Sequence, residues 1–290
     1  MGGESGASAA MVSVIVPAHN EEVSLKGCLD ALLADARPGE LQVIVVCNGC
    51  TDSTAAVARS FGPAVTVIET EVASKRHALN LGDRAAAGFP RCYVDGDVQV
   101  TTEHLRALVD AVGRGALVAV PRLDVELSGR PWVVRSFFRV WMQLPFFRDG
   151  MASSGIYVLS EEGRARFGEF PDLIADDHYV LSHFEGEERR LVEGSRSLVQ
   201  APWSAADIVR IKTRAFLAQR QLEMEPSLNV RQHGARSSWL GVVAADRRLW
   251  TSMPVYAALN VVAEIRARRR FRAQDFSWER DVSSRRAPAA

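Results

Sequence analysis

The sequence predicts an α/β fold, a mostly parallel sheet with helices on both faces. Three observations predict it. Short runs rich in Val and Ile alternate with segments of helical periodicity through residues 11–121. Those runs lack the polar alternation of a half-exposed strand, so both faces of each strand are buried, the pattern of a covered parallel sheet. Polar stretches follow the strands at their carboxyl ends, where open α/β sheets bind ligands.

The elements follow in order. "MVSVIVP" (11–17) reads as the first strand. "EEVSLKGCLDALLADA" (21–36) sets Val23, Leu25, Leu29, Leu32 and Leu33 on one helical face. "LQVIVVC" (41–47) is a second strand, and Asp52 and Ser53 are placed to cap a helix over 53–61. A third strand (64–69), a helix (74–87), a fourth strand "RCYVD" (91–95), a helix (102–112) and a fifth strand (116–121) complete the alternation. The second half is less regular. An aromatic helical stretch (131–147) is read as core, "SSGIYVLS" (153–160) as a strand, "IADDHYVLSHF" (174–184) as an acidic turn running into a helix, and 206–225 as a basic helix.

The totals limit what the chain can be. Its 290 residues make one large domain or two small ones, and 47% apolar with 24% charged residues is ordinary for a globular protein. Lys plus Arg equals Asp plus Glu, 35 each, so no global field draws nucleic acid. "MGGESGASAA" (1–10) reads as a disordered tail without the features of a signal peptide. No run reaches the length of a membrane span. The four cysteines suit a reduced, cytoplasmic protein. Cys47 and Cys50 form a C-x-x-C, but at a strand end and without the second pair that a zinc site needs.

The loops "VPAHNEE", "CNGCTD", "TEVASK" and "DGDV" should meet at one crevice. The first carries no glycine, and neither G-x-G-x-x-G nor G-x-x-x-x-G-K-[ST] occurs, so phosphate would lack a backbone-amide cradle. A carboxylate where a strand leaves the core costs stability unless something offsets it. Asp95 and Asp97 are placed to hold a divalent cation, Mg²⁺ or Mn²⁺, together with a diphosphate. The other reading is an acidic turn in which Asp95 caps the next helix.

Taken together, "VIVPAHNEE", "VVCNGCTDST", "KRHALNLG", "YVDGDV" and "IADDHYV" resemble glycosyltransferase family 2, in its motif order, over about residues 11–220. The resemblance implies the GT-A fold: a nucleotide-sugar-binding half (11–121) merged with a smaller acceptor-binding and catalytic half (122–225). A C-terminal helical extension with a basic tail (226–290) would follow. It implies an inverting transfer of sugar from a nucleotide diphosphate sugar to a glycan, lipid-linked or small-molecule hydroxyl, in cell-surface polysaccharide, glycolipid or glycoconjugate synthesis. By position, Pro17, Ala18, Asn20 and Glu21 would line base and ribose, and Asn48 would read the base. Lys75 would lie near the nucleotide, Asp95 would bind ribose and Asp97 the metal. Gly155 would open the acceptor wall, and Asp177 or Asp176 would be the base. The family's paired Asp at the second strand is Cys47–Asn48 here, and its Glu-Asp is Asp176–Asp177.

An acceptor hydroxyl needs a carboxylate to take its proton, and "DLIADDHYV" supplies one. The division of labour expected is Asp176 as cap or positioning group and Asp177 as base. Arg210 and Arg214 share a helical face and would clamp the diphosphate or form a solvated surface. His178, His183 and His233 are candidate further metal ligands or structural residues. "EIRARRRFR" (264–272), after the apolar stretch 253–265, reads as a helix at the inner face of the membrane or as a solvated basic end. Two other functions fit a similar sheet, a sugar nucleotidyltransferase and a non-catalytic sugar-nucleotide-binding protein. The first would want a Gly-, Arg- and Lys-bearing loop where "VPAHNEE" stands.

Overall fold

The computed structural model describes residues 12–148, 154–224, 241 and 246–275. The tail 1–10, His233 and the stretches 226–240, 242–245 and 276–290 of the expected C-terminal extension lie outside them. Among the described residues one seven-stranded sheet has the order β3-β2-β1-β4-β6-β5-β7. Its strands are β1 (Val12–Ala18), β2 (Leu41–Asn48), β3 (Val65–Thr70), β4 (Arg91–Val94), β5 (Val118–Glu126), β6 (Ile156–Leu159) and β7 (Arg189–Gln200). The first four run parallel, and β6 is inserted antiparallel between β4 and β5. β7 was not legible as a strand: its burial follows no apolar run, and its charges pair sideways with β5, Arg122 to Glu193 at 2.7 Å and Arg196 to Asp124 at 3.0 Å.

The alternation of side chains along β1 builds two cores. Val14 and Val16 face α1 (Leu25–Leu33), α2 (Thr54–Arg59) and α4 (Thr102–Gly113) through Leu29, Ala58, Leu105 and Leu108. Ile15 points the other way, into a cluster with Leu79 of α3 (Lys75–Ala85), Tyr93, Tyr157, Phe170 and Val180. Helix α5 (Trp132–Trp141) continues into the short α6 (Pro145–Arg148). After β6 come α7 (Glu161–Arg164) and α8 (Asp176–Leu181). Much of the aromatic stretch is core, though Trp132 is exposed: Phe137 stacks on Tyr256 at 5.1 Å in a third cluster that joins α5, α9 (Ala205–Glu223) and α10 (Met253–Arg272). The apolar stretch 253–265 and the arginines after it form one continuous helix rather than a helix and a tail.

A buried ionic knot ties α3, β4 and α7 from behind. Asp83 takes Arg91 at 2.6 Å, Arg164 at 2.8 Å and the Tyr93 hydroxyl. No helix of the described residues is long and apolar enough to cross a membrane.

Candidate active site

The crevice opens at the carboxyl ends of β1, β4 and their neighbours, where the sequence placed it. It is lined by Pro17, Lys75, Asp95, Gly155, Asp176 and Asp177, over a floor of Leu79, Tyr93, Val94 and Tyr157. Six of the predicted residues therefore line one crevice.

The rim from β1 and β2 is set by reciprocal hydrogen bonds between its loops. Asn20, held at φ 54°, donates to the Thr51 hydroxyl at 2.9 Å, and the Thr51 amide donates back to Asn20 at 2.7 Å. The Glu21 amide donates to Thr54 at 2.7 Å, and the buried Glu21 carboxylate accepts from Ser24. Asp52 accepts from the Thr54 amide at 3.0 Å and the Glu22 amide at 3.3 Å, so Asp52, not Ser53, satisfies the start of α2. Asn48, expected to face the base, is 3% exposed, and its amide nitrogen donates to the Ala18 carbonyl at 2.9 Å. It is placed as a strut between two loops. Gly49 lies against the next loop: a Cβ there, already at φ +56°, would meet the Ala73 Cβ at 2.5 Å.

The "DGD" turn answers the cost of its carboxylates with a lysine. Lys75 Nζ, at the first turn of α3, is 2.7 Å from Asp95 and 2.7 Å from Asp176. Asp95 does not cap α4, whose N-cap is Thr101. Burial alone would lower the Lys75 ammonium, but Asp176, Asp95 and Asp177 outweigh it and push it up. Burial raises Asp176 to about 6, against the opposing pull of Lys75 and with further help from Asp177 and Asp95. Asp176 is not a helix cap either, because α8 begins after Ala175 without a side-chain cap. Asp177, half-buried beside it, accepts from the His178 amide at 2.8 Å.

Gly155 holds the opposite wall at φ +63°. A Cβ there would come 2.5 Å from Val98 and 3.4 Å from the Asp95 carboxylate, so only glycine lets β6 close on the "DGD" turn. The Asp95 amide donates to the Gly155 carbonyl at 2.8 Å.

Asp97 is exposed at the outer end of the turn. Among the described residues no group of three His, Cys, Asp or Glu forms a ready metal cage. An exposed carboxylate beside a crevice still fits a cation that brings its other ligands with it, as Mg²⁺ and Mn²⁺ do with phosphate oxygens and water.

Arg210 and Arg214 are not brought to the crevice lining. Arg210 pairs on its own helix with Asp207, which is buried at the start of α9, so the expected clamp does not form there. His183 bonds the Tyr179 carbonyl at 2.9 Å and packs on Phe167, a structural role. Tyr157 was missed. It is 3% exposed, stacks on Tyr93 at 5.0 Å, and its hydroxyl has no hydrogen-bond partner among the described residues. Its only signal was a polar-tipped ring within the apolar "IYVL", in register with Tyr93.

A one-sheet α/β fold with a carboxylate-lined crevice at its strand ends defines a broad class of ligand-binding and transferase domains. Comparison with known proteins narrows it. The family described as Glycosyl transferase family 2 matches residues 13–170, more than half of the chain, and the chain belongs to that family. A 4,4'-diaponeurosporenoate glycosyltransferase of Staphylococcus aureus (strain MRSA252) is 27% identical over 193 residues, 63% of this chain and 49% of that protein. Glycosyltransferase AglE of Haloferax volcanii is 35% identical over 91 residues, 30% of each. The chain thus spans about half the length of the first of these relatives, and less of the second. Among solved structures, the mannosyltransferase PcManGT from Pyrobaculum calidifontis in complex with GDP-Man and Mn²⁺ superposes with a TM-score of 0.57 at 20% identity, over 92% of this chain and 80% of that one. TarS 1-349 of S. aureus in complex with UDP-GlcNAc gives 0.52 at 15% identity, over 91% and 92%. These likenesses establish the GT-A fold.

Proposed function

We propose that the chain is an inverting glycosyltransferase that moves a sugar from a nucleotide diphosphate sugar to an acceptor hydroxyl. One observation carries the reading: the carboxylates Asp176 and Asp177 line the same crevice as Asp95, at the start of the "DGD" turn, with Lys75 joining the two sides. An inverting displacement needs a base on one face of the sugar and a stabilised leaving group on the other, and these two rims supply them.

The nucleoside end of the donor lies along Pro17–Glu21, with Asp95 toward the ribose. An arriving diphosphate competes with Asp95 and Asp176 for the Lys75 ammonium and draws it toward the leaving group. Asp177 takes the acceptor proton as the bond to the sugar forms. Asp176, buried and paired, orients the neighbouring residues. A divalent cation held by Asp97 and the diphosphate would supply the charge neutralisation that the leaving group needs. The acceptor is a glycan, lipid-linked or small-molecule hydroxyl.

Asp97→Ala tests the reading. It should abolish metal-dependent nucleotide binding and lower transfer by about 10²–10³, the usual worth of one preorganised electrostatic group. Nucleoside diphosphate, not pyrophosphate, should be the released product. If a chelator leaves nucleotide affinity and transfer unchanged, the role of Asp97 is wrong. Release of pyrophosphate would replace the proposal with nucleotidyl transfer.

A further inference from the structure

We infer that the outward face of α10 is a docking surface for an anionic phospholipid bilayer. The inference is independent of the transferase reading. Helix α10 has two clearly separated sides. Tyr256, Ala263, Ala267 and Arg270 are buried against the body of the protein, Arg270 with its guanidinium 3.1 Å from Asp275. On the opposite side, Val261, Val262 and Ile265 are 56%, 51% and 47% exposed. At helical spacing the same line continues into Arg269 and Arg272, both exposed. From Val261 to Arg272 the stripe is about 16 Å long at 1.5 Å per residue.

The charges on the helix decide what fits this stripe. Glu264 is the only acid within α10, and it is already engaged by Arg220 of α9 at 2.6 Å and Arg268 at 2.8 Å. Arg269 and Arg272 have no ion pair among the described residues. Basic residues in a last turn do favour the helix dipole. That role does not account for three large aliphatic side chains left in water one turn earlier. A second copy of the chain is a poor occupant, because neither orientation of α10 on itself brings an acid to the arginines. A soluble polyanion would satisfy the arginines and leave the aliphatic stripe wet. A bilayer with acidic headgroups takes both, the aliphatic tips at the acyl boundary and the guanidiniums at the phosphates. Trp250, 56% exposed just before the helix and with Arg247 5.8 Å from its ring centre, has the residue chemistry of an interfacial anchor.

The test is co-sedimentation of the full chain with vesicles of phosphatidylcholine alone, or of phosphatidylcholine with phosphatidylglycerol. Binding should require phosphatidylglycerol and weaken as salt is raised. The double variant Arg269→Gln/Arg272→Gln should bind about 25-fold more weakly, about fivefold for each arginine. Val261→Ser/Ile265→Ser should also weaken vesicle binding severalfold. All four positions are exposed, so thermal unfolding should match the parent and show that the fold is kept. Equal binding to both vesicle types, or no loss in either variant, would overturn the inference. So would binding of a short nucleic-acid duplex that depends on the arginines but not on Val261 and Ile265, without vesicle binding. A dimer in light scattering that Val261→Ser/Ile265→Ser breaks would assign the face to a second copy instead.

Discussion

The two rims of the crevice are built differently. The rim from β1 and β2 is stitched by hydrogen bonds that begin and end within its own loops, through Asn20, Thr51, Asp52 and Thr54. The rim carrying α8 meets the "DGD" turn through the ammonium of Lys75. Short-range hydrogen bonds between adjacent loops, the Asp52 carboxylate among their acceptors, hold their geometry whether or not a ligand is present. An ion bridging two carboxylates can be taken by a third anion. The first rim is therefore preorganised, and the second is poised to respond to what binds in the first.

The largest effect should come from removing the knot that ties α3, β4 and α7 behind the responsive rim. Asp83→Ala leaves Arg91 and Arg164 buried without their carboxylate, and should cost about 3–5 kcal/mol in urea unfolding. A loss under one kcal/mol would mean that the knot is not what ties these three elements together.

Next comes the proton acceptor. Asp177→Asn should lower turnover by about 10²–10⁴ while calorimetry shows donor affinity unchanged, because the residue serves the responsive rim. Asp176→Asn should lose less. If Asp176→Asn is inactive while Asp177→Asn transfers normally, their roles are reversed.

Lys75→Met tests the bridge. Donor affinity should fall roughly 10–100-fold, the range of a charge-assisted hydrogen bond. The pH profile gives a second readout. Asp176 is held at about 6 with Lys75 opposing its burial, so the parent should lose activity as pH falls through about 6. Removing the cation raises Asp176 further and should move that acid limb to higher pH. A limb that stays in place would detach Asp176 from the reaction.

The smallest effect belongs to the preorganised rim. Asn48→Asp replaces the donor to the Ala18 carbonyl with a carboxylate. Affinity for UDP-, GDP- and dTDP-sugars should fall severalfold and alike. A changed ranking among the three would restore Asn48 as a reader of the base.

The sequence made the first rim legible because its signals are local. Strands of Val and Ile buried on both faces announce themselves, and the loops after them hold the site residues. Asp95, Gly155, Asp176, Asp177 and Lys75 were found, but not the contact that unites them, since a salt bridge between α3, β4 and α8 leaves no trace in spacing. The direction of β6 was also hidden, because four apolar residues look the same run either way. β7 failed for a different reason: it is held by its backbone ladder with β5, and the side chains it buries include Ser195 and Ser197 rather than an apolar run. Arg210 and Arg214 satisfied the helical spacing of a clamp, yet spacing cannot show that Asp207 already holds Arg210.

The insertion of β6 between β4 and β5 bears on how such a protein can be altered. The strand that follows Gly155 is hydrogen-bonded on one edge to β4, which leads into the "DGD" turn, and on the other to β5. The rims are thus not modules joined by a linker. A chimera cut near residue 121 would sever β5 within its own length, and removing the segment beyond it would strip β4 of its partner and expose a bare sheet edge. Retargeting the acceptor therefore has to proceed by exchanging loops on an unbroken sheet, with the glycine at 155 kept as the fixed point around which new loops are fitted.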